Sequence, residues 1–562
     1  MVDVQPVALL SHLDALNEQQ LRAFASTLLA QIAHRDEVIA HRDEAILQRD
    51  ELIARKDQDI LYRQAKIEQL THELAVLRRW KFGKSREQLA PAQASLLDEA
   101  IDGDIAAIEV ELNQLVPAAT TKADTAPRTP PKRAPLPAHL PRREVHHEPD
   151  SITCQTPGCG GQIKRIGEDV AERLDYTPGV FTVERHVRGK WACVHCQTLI
   201  QAPVPAQVID KGIPTSGLLA QVLVAKYADH LPLYRQEAIF GRAGTTLSRS
   251  TLGQWVGECG VALQPLVDAL KTHILRAGVL HADETPVNML KPTRQSGKKD
   301  PTQAGTQQAY LWAYSPAAFE DTKAVVYDFC DSRGGAHARA FLGQWQGTLL
   351  TDDFAGYKQL YTQGIIEAGC WAHARRKFFD LHTANASPMA AQALAYIGQL
   401  YDIEREVKPL SAEQRHQIRQ NQSKPLLDTL HAWMLSVRQK VLNNSAVAKA
   451  LDYSLRRWAA LSRFIDDPHL PIDNNHIENQ IRPVAVGKKN WLFAGSLRAG
   501  QRAAAIMSLI HSARLNGHDP YLYLNDVLTR LPTHKNSRID ELLPHLWQPQ
   551  PAAQPVSPSP PK

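Results

Sequence analysis

A chain of 562 residues is too long for one compact core and is expected to fold as several domains. Its 43% hydrophobic content fits globular segments joined by polar ones, and no run of about eighteen apolar residues offers a membrane span. The formal net charge of +5 is too small to establish nucleic-acid binding, so the placement of the charges has to decide.

Met1 to Leu10 lacks a basic segment followed by an apolar one, so no secretory signal is expected. Isoleucine then recurs every seventh position, at Ile32, Ile39, Ile46, Ile53, Ile60 and Ile67, followed by Leu74. A sustained period of seven predicts a long helix with an apolar seam. Were isoleucine at a, the d positions would be Arg35, Arg42, Arg49, Lys56 and Arg63, so the zipper is imperfect. Both a self-associating coiled coil and a solitary helix packed elsewhere stay open for residues 1–90. The helix runs into Arg78-Arg79-Trp80-Lys81-Phe82-Gly83-Lys84-Ser85-Arg86, which suits a DNA backbone or a solvated helix end equally. Composition turns Pro- and Thr-rich from Pro117 to about Pro149, and 91–150 is read as a linker. The tail 547–562 is read as disordered.

Cys154-x4-Cys159 and Cys193-x2-Cys196 can close a tetrahedral thiolate site for structural Zn2+ in a module spanning 151–205. His195 is an alternative ligand. Two close pairs among seven cysteines favour a reducing compartment over a disulfide framework. Residues 206–272 read as helices, with Tyr234–Phe240, a turn at Gly244, and Ser248 capping a second helix. That is a helix-turn-helix layout in which Arg249, Ser250 and Gln254 could face base edges, although helix pairs occur in any α-domain.

From Gly278 the pattern becomes strand-like: Gly278–Asp283, Ala309–Tyr314, Ala324–Phe329, a helical Ala336–Trp345, then Thr348–Asp352. A strand Ile365–Ala368 and a basic helix Trp371–Leu381 follow. This order predicts a ribonuclease-H-like sheet with Asp283 and Asp352 on adjacent strands. Two divalent ions about 3.5–4 Å apart need such hard carboxylate ligands. The third is expected from Asp473-Asn474-Asn475-His476-Ile477-Glu478, where Asn474 can cap a helix that buries Ile477 and Ile481 and presents Glu478. The alternatives are a salt bridge from Glu478 to Arg482 and a turn-capping role for Asp283. Cys370-x2-His373 has the spacing of half a metal site but no second pair. His373, Arg375 and Arg376 instead suit the surroundings of a scissile phosphate. Arg482, Lys488, Lys489, Arg498 and Arg502, interleaved with Trp491 and Phe493, suit backbone contact and base stacking, or else a solvated face over buried aromatics.

His281-Ala-Asp283-Glu-Thr-Pro286, Thr351-Asp352-Asp353-Phe-Ala-Gly-Tyr357, Cys370-Trp-Ala-His373 and Asp473-Asn-Asn-x-x-Glu478 resemble motifs of the insertion-sequence-66 family of bacterial transposases. Lys226 to Gln236 and Gly487 to Ser496 resemble it as well. The resemblance implies a ribonuclease-H-like fold whose three acids match Asp283, Asp352 and Glu478, using Mg2+ or Mn2+. Asp353 stands where the family pattern has glycine, which leaves open whether it takes part in metal binding. The expected whole is a multidomain α+β chain with a catalytic domain over 273–500, a helical insertion at about 383–468 and a C-terminal helical extension over 501–546. It is expected to cut and join double-stranded DNA at terminal inverted repeats as at least a homodimer, in the bacterial cytoplasm at the nucleoid, with small accessory proteins encoded beside it. A metal-dependent nuclease of the same fold and a non-catalytic DNA-binding regulator are the rival readings.

Overall fold

The computed structural model describes residues 18–82, 91–115, 135–149, 151, 153–177, 179–210, 212–291 and 306–549. It divides into two compact units, one of residues 1–76 with 112–119 and one of 77–111 with 120–562. Helix α1 (Glu18–Phe82) carries the heptad seam of the first unit. Ile32, Ile39, Ile46, Ile53 and Ile60 each remain about half exposed along it. The basic run after Phe82, the Pro-rich stretch up to residue 134 and the tail beyond residue 549 lie outside the described residues.

The span read as a linker departs from that reading. It contains helix α2 (Pro91–Leu115) and strand β1 (Arg142–His147). Good helix formers fill residues 91–115, and Ile101, Ala106, Ala107 and Ile108 are buried, whereas the Pro-rich composition begins only at Pro117. The long hairpin β2 (Ile163–Thr177) and β3 (Val180–Cys193) pairs with β1 and with β4 (Leu199–Gln201).

Helices α3 (Ser216–Tyr227), α4 (Leu233–Arg242) and α5 (Arg249–Ile274) come next. Five strands then build the central sheet: β5 (Val279–Leu290), β6 (Thr306–Pro316), β7 (Val326–Cys330), β8 (Thr348–Thr351) and β9 (Ile366–Gly369), in the order β7-β6-β5-β8-β9. The first three strands are antiparallel, while β8 and β9 run parallel to β5. This is the expected ribonuclease-H-like arrangement. Helix α6 (Gly335–Leu342) makes the crossover from β7 to β8, and the short α7 (Lys358–Tyr361) lies between β8 and β9. β5 does not end at its acid but continues through Pro286 to Leu290. Proline is tolerated there because β8 pairs only with Val279–His281, leaving that side of β5 without a ladder partner from β8.

One core joins the sheet to α3, α4 and α5 and to the C-terminal helices over Leu497–Leu515 and Pro520–Arg530. A second core lies under the insertion. Val279, Leu350 and Ala368 meet Trp371, Ala374 and Phe378 of α8 (Trp371–Asn385), together with α9 (Pro388–Val407) and α11 (Lys424–Lys440). The short α10 (Ala412–Ile418) leads into a π-helical turn holding Arg419. The fully buried Arg419 guanidinium donates to both Glu404 oxygens and to the carbonyls of Phe464, Asp467 and Leu470, so each of its nitrogens has a partner and the buried charge is paired. α12 (Ala446–Arg456) and α13 (Trp458–Ser462) complete the insertion. The chain then forms α14 (Asn475–Trp491), α15 (Leu497–Leu515) and α16 (Pro520–Arg530). Among the described residues no helix is long and apolar enough to cross a membrane.

Candidate active site

Asp283 lies within β5, opposite Ala313 of β6. On its other side the ladder pairs Val279 with Thr348, Leu280 with Leu349 and His281 with Leu350. The same offset relates Asp283 to Asp352, the first residue after β8. Asp352 Oδ1 accepts the Phe354 N–H at 2.9 Å and so begins the turn that follows. Its neighbour Asp353 takes a different environment, 3.8 Å from both Lys358 Nζ and Arg457 Nε.

Glu478 stands in the first turn of α14, with Ile477 and Ile481 buried beneath it as their spacing predicts. Asn474 occupies the cap position, but its side chain makes no cap. Its Oδ1 accepts from His281 Nδ1 at 2.6 Å, and its Nδ2 donates to the Ala282 carbonyl at 3.0 Å. Its backbone N–H donates to Cys370 Sγ at 3.2 Å. One buried asparagine therefore ties the helix carrying Glu478 to the strand carrying Asp283 and to the start of α8. Burial lowers the His281 pKa to about 3, which keeps the ring neutral and consistent with a single proton on Nδ1.

Burial raises the Asp283 pKa to about 8, with the charges of Glu284, Asp352 and Glu478 adding to it and the Glu284 N–H opposing. Asp352 and Glu478 are thus both near enough to act on Asp283. Glu284 points elsewhere and is satisfied: it accepts the Tyr357 hydroxyl at 2.7 Å and Arg333 Nε at 2.7 Å. Sequence reasoning did not assign Glu284 or Arg333 a place here. Tyr357 lies in a quoted motif, but Arg333 carries no local signal.

Glu478 faces His373, with Oε1 3.9 Å from Nδ1, and both atoms are buried without a hydrogen-bond partner. Arg482 is exposed, as are Arg375 and Arg376 further along α8. The buried Asp283 carboxyl, with Asp352 and Glu478 near it, is the kind of donor set that would hold a divalent cation. Their hard oxygens fit Mg2+ or Mn2+.

The residues read as DNA contacts fall into two groups. Arg375, Arg376, Arg482, Lys489 and Gln254 are exposed. Others are engaged within the fold. Ser248 caps α5 as expected, accepting from the Thr251 N–H at 3.2 Å. Ser250, however, donates to Asp102 of α2, and Arg498 donates to Glu111 of the same helix; Arg502 is buried against Asp104 of α2 instead of facing solvent as expected. The Arg249 N–H donates to Glu237 at 3.2 Å, and Lys488 Nζ donates to the Pro286 carbonyl at 3.1 Å. Trp491 turns inward and lines an apolar cavity of about 110 Å³ with Tyr227, Leu233, Phe329 and Met507. Helix α2 approaches α5 closely enough that a Cβ on Gly257 would collide with the Gly103 carbonyl.

In the β2–β3 module the four sulfurs of Cys154, Cys159, Cys193 and Cys196 lie within 4.8 Å of one another. Cys154–Cys196 and Cys159–Cys193 are 3.5 and 3.6 Å apart. Tetrahedral zinc with Zn–S bonds of about 2.3 Å needs sulfurs roughly 3.8 Å apart. Gly158 and Gly160 adopt positive φ in the turns that bring the first pair round. His195 is exposed and is not one of the converging groups.

Four sequence families match the chain. Residues 211–502 match the transposase IS66 family and 508–545 the IS66 C-terminal element. Residues 153–197 match the zinc-finger binding domain of transposase IS66, and 69–145 match the family described as transposase C of IS166 homeodomain. The chain is 35% identical to protein y4jD of Sinorhizobium fredii, covering 87% of this chain and 96% of that relative. It is 37% identical to y4qI of the same organism, covering 86% and 90%. A pre-cleavage Mos1 transpososome aligns at 10% identity over 49% of this chain and 83% of that one, with a TM-score of 0.09 that bears no weight for the fold.

Proposed function

Because the chain belongs to the IS66 family of transposases, we propose that it is a DDE enzyme that binds the terminal inverted repeats of its element, cleaves DNA there and joins the ends to target DNA. The observation that carries this reading is the convergence of three acids: Asp283 and Asp352 level on two neighbouring strands, and Glu478 in the first turn of a later helix that Asn474 ties to the Asp283 strand. These three would hold two Mg2+ or Mn2+ ions, which supply activation of a water or 3′-hydroxyl and stabilisation of the departing oxygen.

The chain's own groups divide the remaining work. Asp283 is buried and preorganised on the sheet, and Asn474 sets Glu478 against it. Arg375 and Arg376 offset DNA charge beside the acids, with His373 next to Glu478. Arg482 and Lys489 extend the positive surface along α14. The four-cysteine module holds structural Zn2+ with no open coordination position, so it shapes the fold and takes no part in the chemistry. The half-exposed isoleucine seam of α1 supports pairing of two chains, which would hold two DNA ends together; small accessory proteins complete the proposed assembly.

The test is strand cleavage and joining of labelled element-end DNA in Mg2+, comparing wild type with Glu478→Gln. Joining by wild type, and binding without either reaction by the variant, supports the proposal. Cleavage without joining would select the nuclease reading, and binding alone the regulator.

A further inference from the structure

Cys370 and His373 have the spacing of half a metal site, and the fold supplies what the sequence around them lacks. Glu478, distant in the chain, brings a carboxylate oxygen to the pair. Cys370 Sγ, a His373 ring nitrogen and the Glu478 carboxylate all lie within 4.8 Å of one another. His373 Nδ1 and Glu478 Oε1 face each other 3.9 Å apart, both buried and both without a hydrogen-bond partner. Cys370 is fully buried at the N-cap of the fifteen-residue helix α8. Its sulfur receives the backbone N–H of Asn474 at 3.2 Å. Burial outweighs that donor and raises the Cys370 pKa to about 12, so an ion would have to displace the thiol proton, and the geometry alone carries the site.

We propose that Cys370, His373 and Glu478 form a second cation site, one sulfur, one nitrogen and one oxygen ligand, suited to a borderline-soft divalent ion such as Zn2+. A fourth position is left for water. The overlap with the hard-cation site rests on the triad reading, because Glu478 serves both. An ion on the thiolate withdraws Glu478 from Asp283 and Asp352, so a thiophilic metal and Mg2+ compete through one carboxylate. Cation identity then decides whether the third acid is available.

The test uses full-length protein already carrying zinc in its four-cysteine module, titrated with Co2+ and followed by absorption. The spectrum of Cys370→Ser is subtracted, so that any cobalt entering the other module cancels. The expected result is one further Co2+ per chain with a thiolate-to-cobalt charge-transfer band. Its affinity should fall at least tenfold in His373→Ala and in Glu478→Gln and stay unchanged in Asp352→Asn. Wild type without the band, or an equal band in Cys370→Ser, overturns the site. Because His373 is partly exposed, His373→Ala decides the matter if Cys370→Ser fails to fold. DNA cleavage by Asp283→Asn is a separate readout. Retained cleavage there removes the triad reading and leaves the cobalt spectrum to judge the thiolate site.

Discussion

Asp283 and Asp352 stand level with each other just past the last rung of the β5–β8 ladder, on the offset that pairs His281 with Leu350. Past that rung no further pairing joins β5 to β8, while β6 still holds Asp283 from its other side. Cation-binding carboxylates suit this arrangement: rigid backbone immediately behind them and one flank without a paired strand.

Asp283 makes stability pH-dependent. Its folded-state pKa of about 8 lies above the unfolded value of 3.8, so the native state holds this proton more tightly. Without Mg2+, the contribution to stability should decline as pH rises from the unfolded value through about 8. Asp283→Asn should flatten that decline, by on the order of a few kcal/mol at the alkaline end. Urea midpoints measured across this range on zinc-replete protein check it. An identical pH slope in wild type and variant would falsify the assignment. The same substitution should lower Mg2+-dependent cleavage by more than about a hundredfold.

Asn474→Ala strands the His281 Nδ1–H and the Ala282 carbonyl, both buried. A loss of about 2 to 4 kcal/mol is expected. Cleavage should fall further than DNA affinity, since the change loosens Glu478 and touches no DNA-facing cation. Equal losses in both would mean that Asn474 serves folding alone.

Asp104 is buried, and its carboxyl is raised by burial despite the Arg502 guanidinium at 3.0 Å and the Ser496 hydroxyl. Asp104→Ala leaves the Arg502 charge buried and uncompensated, at a cost of about 3 to 5 kcal/mol. Replacing both residues together with Leu and Met should recover much of that. If the double variant is no more stable than the single one, the pair is not the source of the loss.

The two groups of basic and polar residues should behave differently toward DNA. Arg375→Ala with Arg376→Ala should weaken binding for every sequence and reduce the salt-dependence slope by about 2, one per phosphate contact. Ser250→Ala should leave affinity within about twofold, because its hydroxyl is committed to Asp102. Filter binding over a range of salt concentrations distinguishes them. Reversed effects would place the DNA across α5 instead.

Cys193→Ser should remove bound zinc and open the β2–β3 hairpin to protease while the central sheet persists. Metal content and limited proteolysis measure the two effects independently.

Much of the sheet was readable in the sequence. Ala309–Tyr314 and Thr348–Thr351 are short apolar runs between polar loops, and local pattern places such strands well. Helix α2 was concealed because its helix formers adjoin a Pro-rich stretch that dominated the composition. The cysteine pairs declare themselves by spacing. The Glu284–Arg333–Tyr357 contacts, the Asn474 tie and the Cys370–His373–Glu478 cluster do not, since each joins residues whose proximity exists only after folding. Pro286 within β5 reads as a break, yet depends on which strand lies beside it.

The helical insertion leaves and re-enters the sheet at one point, with the Trp371 N–H bonded to the Ile472 carbonyl at 3.1 Å. Trp371 Nε1 is also tied to the Leu461 carbonyl at 2.7 Å. A segment whose two ends meet is closed at its base, so lengthening its outer helices need not pull the strand ends apart. That freedom stops where the insertion touches the sheet, as Arg457 does beside Asp353 and Glu367.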